Sequence, residues 1–296
     1  MNKIKQAFIT SYDRAIAPNT LPRIFDIVEP LESYYEKDCC NFTIDEIKSV
    51  LMAFRSSDVW TVRQKVSLLK SYTNYCIDHG FSTDGINHYV EVSTEIIESC
   101  IDKRKAEVMM VTEEDVDEML ALLDSPRDKL LILAPYEGIS GKGYCEILEL
   151  RKSDLLPNNL VKLCDGRIIQ VSAKLHSIME DAGDLSYYTR SDGKNLELQQ
   201  SEFIFKSSKG NVASELSVKN RIMSIKKMVD RPYLGIKMLR NAGFYAKFDN
   251  LYTKYDNDYE KTFNSQEYAD LVYQYNITFG KVKIRSDHRQ MRMVRG

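Results

Sequence analysis

The sequence predicts a mainly α-helical protein with a small β-sheet, divided into two domains. Three observations carry that expectation. A chain of 296 residues exceeds one typical domain. Its first third shows apolar residues at helical spacing, bounded by capping signals. Further along, two alternating apolar segments flank the dipeptide Asp165-Gly166, which is a hairpin signal.

The elements follow in order. A helix is expected from about residue 22 to residue 36. Thr43 with Glu46 three residues on forms a capping box that opens a helix through Ile47, Leu51 and Phe54. A longer helix is expected from Thr61 to His79, because Val62, Val66, Leu69, Tyr72 or Thr73, and Cys76 fall on one face; Gly80 ends it as a C-cap. Its other face holds Arg63, Gln64, Lys65 and Lys70, side chains suited to phosphates and base edges and equally to solvent. A helix over 92–100 completes a small bundle. The charged run Asp102-Lys103-Arg104-Lys105-Ala106-Glu107 lacks apolar periodicity and reads as a linker, which sets the domains at 1–105 and 106–296.

After Thr112 and Asp115, a second capped start, helices are expected over 113–123 and 127–136 and, after a glycine turn, over 144–150. The hairpin pairs residues 160–164 with 167–171. A helix over 173–182, a polar loop holding Asp192-Gly193 and a short strand Phe203-Ile204-Phe205 come next. Basic helices over 217–229 and 234–248 follow.

Composition excludes several classes. No run approaches the roughly 18 apolar residues that span a membrane, and the start MNKIKQAFITSYDR lacks a signal-peptide core, so no membrane partner and a cytoplasmic location are expected. The six cysteines form no C-x-x-C pair and several lie beside Leu or Ile, so buried free thiols are expected. The four histidines are scattered without ligand spacing, so neither a metal nor a cofactor is expected. Gly138 to Gly143 looks superficially like a phosphate loop but lacks the G-x-x-x-x-G-K-[ST] pattern.

The formal net charge is −2, which does not mark a nucleic-acid binder. Its distribution says more. Lys209, Lys219, Arg221, Lys226, Lys227, Arg231, Lys237, Arg240 and Lys247 are interrupted only by Glu215 and Asp230, and the tail from Lys281 is basic as well. Such runs are usually solvated faces, and that reading stays open here.

The stretch from Tyr136 to Leu155 resembles the first active-site box of the tyrosine recombinase and phage integrase family, in which a glycine turn leads into R-x-x-E-L-L-x-L-x-x-x-D. Gly143 stands where that family has its arginine, while Glu146 and the apolar ladder Ile147, Leu148 and Leu150 remain. The resemblance extends through a helical N-terminal module, the hairpin with Lys162, the turn Phe203-Ile204-Phe205-Lys206-Ser207-Ser208-Lys209-Gly210, and Lys237-Met238-Leu239-Arg240, where Lys237 replaces the histidine of H-x-L-R. Gln274 stands at the family's later histidine or tryptophan, and no tyrosine follows Tyr275.

The resemblance implies a fold in which a helical core-binding domain and an α+β catalytic-like domain form a clamp on DNA. It also implies chemistry in which a tyrosine attacks a phosphate while cationic donors hold the non-bridging oxygens. With the arginine, the histidine and the terminal tyrosine all replaced, the expectation is a body without cutting activity and with no catalytic residue. The narrower likeness is to the recombinase-fold repressors of SPβ-type Bacillus prophages. The expected partner is double-stranded DNA, bound by Arg63, Gln64, Lys65, Lys70, Lys162, Lys206, Lys209, Lys219, Arg221, Lys237 and Arg240; self-association or a regulatory protein partner is also expected. A divergent active recombinase, with Tyr268, Tyr273 or Tyr275 as nucleophile, and a relic without DNA binding remain as alternatives.

Overall fold

The structure is a computed structural model that describes residues 3–12, 19–102, 111–189 and 193–295. The chain divides into two compact units, Met1–Val108 with Gly280–Gly296, and Met109–Phe279. Most of the proposed linker, residues 103–107, lies outside the described residues. The C-terminal tail, expected to stay with the second domain, groups instead with the first unit.

The first unit is a helical bundle of α1 (Lys3–Ser11), α2 (Thr20–Tyr35), α3 (Ile44–Ala53), α4 (Val59–Asp78) and α5 (Thr94–Ser99). The Thr43–Glu46 capping box opens α3. Asp58 opens α4 two residues before the expected start, its carboxylate accepting from the Trp60 and Thr61 amides. Gly80, at φ +71°, ends α4, and the Phe81 amide donates back to the Cys76 carbonyl. The apolar face of α4 is buried as its spacing predicts: Val62, Leu69, Tyr72 and Cys76 pack with Phe25, Val28, Ile47 and Leu51, and the Phe25 and Tyr72 rings meet edge-on at 4.9 Å. The tail forms α14 (Lys281–Arg295). Ile284 and His288, one turn apart, are buried, and the Gln290 side chain accepts from the Val59 amide at 3.2 Å and donates to the Ser57 carbonyl.

The second unit is built around α7 (Pro126–Tyr136), whose residues 130–134 are apolar on every side and almost fully buried. It packs against α9 (Ala173–Asp184) and α11 (Ile236–Lys254). Helices α6 (Glu113–Ala121), α10 (Glu215–Met228), α12 (Tyr259–Phe263) and α13 (Gln266–Tyr275) complete the layer. The approach of α11 to α7 requires glycine at one point: a Cβ on Gly243 would lie 1.8 Å from the Tyr136 carbonyl oxygen.

The expected hairpin is present and gains a strand. β1 (Leu155–Leu156), β2 (Leu160–Lys162) and β3 (Ile168–Gln170) form one antiparallel sheet in that order, with Val161 opposite Ile169 facing inward and Lys162 opposite Ile168 facing out. Leu163 donates to the Arg167 carbonyl, which leaves Cys164, Asp165 and Gly166 (φ +88°) as the turn. Three expectations change. The helix placed over 144–150 shrinks to α8 (Cys145–Leu148), because Gly141, Gly143 and Tyr144 all hold left-handed backbone. The stretch around Gly193 belongs to a ribbon, β4 (Tyr187–Thr189) paired with β5 (Asn195–Glu197), while residues 190–192 lie outside the described set. Phe203 to Phe205 forms no strand; Phe203 makes one isolated bridge to Arg151, and the buried Ile204 and Phe205 side chains serve the core.

Among the described residues no helix is long and apolar enough to cross a membrane.

Candidate functional site

The glycine turn and α8 place Glu146 in the interior of the second unit, with its side chain only 4% exposed. One carboxylate oxygen accepts the Ser140 amide at 2.7 Å. The other accepts from Arg167, the residue that follows the hairpin turn. Gly141 makes room for this arrangement, since a Cβ there would stand 2.5 Å from the Cys145 sulfur and 2.9 Å from the Glu146 Cγ. Gly143 differs: only the end of the Glu215 side chain lies near its missing Cβ, and its φ of +64° is what favours glycine.

Arg167 is the residue that sequence reasoning missed. Besides Glu146 it bonds Asp165 through Nε at 2.7 Å, and its Nη1 donates to the carbonyls of Tyr273 and Gln274 at 2.9 Å each. Arg240 repeats the pattern one step along, donating from Nε to the Tyr275 carbonyl at 3.0 Å and from Nη2 to the carbonyls of Tyr275 and Asn276. The last carbonyls of a helix have no partner within it and carry partial negative charge. Two guanidinium groups therefore cap the C-terminus of α13. Burial pushes the Arg240 guanidinium below its ordinary pKa, with the nearby Glu146 opposing that shift and Arg167 reinforcing it. A signal for Arg167 existed: a glutamate on an apolar helical ladder needs a cation, and Gly143 does not supply one.

The side chains at the other family positions are also engaged internally. Gln274 donates to the Glu137 carbonyl at 2.9 Å. Tyr275 is fully buried, its hydroxyl donating to the Tyr136 carbonyl, and burial holds its pKa far above the ordinary value. Tyr268 is 9% exposed and its pKa is likewise raised by burial. Tyr273 is the exposed member of the three, at 51%, with its hydroxyl accepting from the Ile168 amide at 3.3 Å.

The eleven residues expected to meet DNA divide into groups. On α4, Gln64 and Lys70 are exposed, Lys65 lies 4.3 Å from the centre of the Phe54 ring, and Arg63 donates to the Thr94 hydroxyl at 2.7 Å. In the second unit Lys162, Lys209, Lys219 and Lys237 are exposed, Lys219 being paired with Glu215. The other three are bonded within the second unit. Lys206 is 1% exposed and donates to the Gly183 carbonyl at 2.7 Å; burial lowers its pKa. Arg221 forms a two-point pair with Asp128, itself 1% exposed, through Nε at 2.6 Å and Nη2. Arg240 is held by the carbonyls already named. Each of these charges is bonded to a carbonyl or carboxylate of the second unit.

A helical module, a box with a retained buried glutamate, a lysine-bearing hairpin and an arginine helix, in this order, define a tyrosine-recombinase-like protein. The chain belongs to the MrpR family: the family described as "MrpR, C-terminal catalytic domain" matches residues 110–294, and "MrpR, N-terminal core-binding domain" matches residues 1–78. It is 25% identical over 201 residues to the SPbeta prophage-derived uncharacterized protein YopR of Bacillus subtilis (strain 168), a match covering 65% of this chain and 61% of that protein's length. Similar solved structures include a lambda integrase(75-356) dimer bound to a COC' core site, with 15% identity, a TM-score of 0.46 and coverage of 93% of this chain and 95% of that one. XerA recombinase is another, with 11% identity, a TM-score of 0.40 and coverage of 98% and 96%.

Proposed function

We propose that this chain is a sequence-specific binder of double-stranded DNA, acting in the cytoplasm as a phage-type repressor on a recombinase body that does not cut. The observation that carries the reading is the internal use of both guanidinium groups at the recombinase-like site. Arg167 and Arg240 point their donors at Glu146 and at the carbonyls of residues 273–276. Strand cleavage needs fixed cationic donors aimed at phosphate oxygens, and removing one such donor typically costs about 10²–10³ in rate. Burial of Tyr268 and Tyr275 speaks against these two as nucleophiles.

Support for DNA as partner comes from the exposed cations. Lys162, Lys209 and Lys237 are suited to phosphate contacts, and Gln64 and Lys70 on one face of α4 are suited to a groove. The relative YopR is described as prophage-derived, in keeping with a prophage role. Self-association would suit a repressor reading paired half-sites.

The exposure of Tyr273 favours one second reading, a divergent recombinase using that hydroxyl. A nicked suicide substrate separates the two. Binding without a covalent adduct is expected; an adduct that disappears in Tyr273→Phe would establish the enzyme. A third outcome, no DNA affinity that falls with salt, would identify a relic of the fold and end the repressor reading.

A further inference from the structure

The fold gathers three cysteines that lie far apart in sequence or side by side without a motif. Cys39 and Cys40 sit in the 3-10 turn Cys39–Asn41, and Cys76 projects from the last turns of α4. All three are buried, at 0%, 2% and 0% exposure. One sulfur each from Cys40 and Cys76 and one oxygen of Asp38 lie within 4.8 Å of one another, and Asp38 also groups within that distance with Glu32 and Cys39. Asp38 and Glu32 are half-buried, and the buried Lys5 ammonium pairs with Glu32 on the carboxylate side of the cluster.

A second observation points to a missing occupant. The hydroxyl of Tyr89 is buried without a hydrogen-bond partner, in a residue 2% exposed. Burial raises its pKa, and Tyr89 belongs to the same buried core as Cys39, Cys40 and Cys76. Buried polar groups are normally satisfied, and one that is not calls for a water or an ion.

The donors suit one class of ion. Two thiols and a carboxylate match the ligands that zinc-like cations take, with a fourth position left to water. Asp38 already accepts the Tyr72 hydroxyl at 2.9 Å on one oxygen and the Cys40 amide at 3.0 Å on the other. These bonds fix the orientation of the carboxylate. The Cys40 and Cys76 thiols are hydrogen-bonded to each other, which sets the two sulfurs side by side.

We propose that Cys40, Cys76 and Asp38 form a binding site for a thiophilic divalent cation of the zinc class. Binding exchanges two thiol protons for one divalent ion: both protons leave to solvent, two metal–sulfur bonds form, no electron is transferred and the net charge of the site is unchanged. The bound ion would tie the turn at residues 38–41 to α4 and so stiffen the helix that carries Arg63, Gln64, Lys65 and Lys70.

The test uses the full-length reduced chain with Cys145→Ser and Cys164→Ser. Those two thiols are hydrogen-bonded neighbours in the other unit and would otherwise compete. Cobalt(II) titration should produce a thiolate charge-transfer band that saturates at one ion per chain and is displaced by zinc. Adding Cys40→Ala and Cys76→Ala should remove it, and Asp38→Asn should weaken it. Because these positions are buried, a second measurement needs no core substitution: zinc should protect Cys40 and Cys76 from a thiol-labelling reagent, while Cys100 reacts at an unchanged rate. Absence of a saturable band, a band that survives loss of Cys40 and Cys76, or equal labelling with and without zinc would each overturn the assignment.

Discussion

Replacing Arg167 by alanine tests the central structural argument. Its side chain is 10% exposed and its guanidinium is the cationic group bonded to Glu146, whose side chain is 4% exposed. In Arg167→Ala the glutamate keeps the Ser140 amide but loses its cation, and two α13 carbonyls lose their donor. Removing one member of a buried pair costs about 3–5 kcal/mol, because the remaining charge stays buried. The carbonyls add about 1 kcal/mol, since water reaches the exposed side of α13. The assay is urea unfolding followed by circular dichroism, with the slope watched for loss of two-state behaviour. Adding Glu146→Gln should recover part of the loss, because no buried charge then lacks a partner. Lys162→Ala, an exposed change on the neighbouring strand, should stay within about 0.5 kcal/mol of wild type. If Arg167→Ala is equally mild in stability yet abolishes DNA binding, the guanidinium is a phosphate donor and the bracing argument fails.

Other outcomes follow from the same geometry. The Lys206 pKa is lowered by burial from its ordinary 10.5, so between the folded value and 10.5 the unfolded chain holds more protons and stability rises with pH; Lys206→Met should flatten that rise in pH-dependent urea melts, and an unchanged slope would count against a buried ammonium. Gly243→Ala would press a methyl against the Tyr136 carbonyl and should cost about 3 kcal/mol or more; thermal unfolding within a degree of wild type would show that α11 and α7 do not approach so closely. For DNA binding, Lys162→Ala and Lys237→Ala should each reduce the salt slope by about one while leaving sequence preference alone, whereas Gln64→Ala should shift preference by about 1–3 kcal/mol at one base pair; the reverse pattern would move the recognition face off α4.

Local chemistry made much of the fold legible. Thr43 with Glu46 and Thr112 with Asp115 announce helix starts because a side-chain oxygen and a nearby backbone amide satisfy each other within four residues. The stripe from Val62 to Cys76 and the Asp165-Gly166 turn are equally local. The β4–β5 ribbon was not legible, since each strand is three residues long with a single half-buried apolar residue, Tyr188 opposite Leu196, and the shortening of α8 depends on left-handed backbone at Tyr144 that no neighbour in sequence demands.

The functional residues divide along the same line. The residue order alone tells which cationic, thiol and tyrosine side chains exist and which family positions are altered, including Gly143, Lys237 and Gln274. What those groups do follows from the folded arrangement. Arg167 reaches Glu146 across 21 positions, Arg221 reaches Asp128 across 93, and Arg240 reaches Tyr275 across 35. A charge on a sequence has no dielectric or partner; the fold sets both, which is why Lys206 and Lys209 stand three residues apart, the first buried against a carbonyl and the second exposed to solvent.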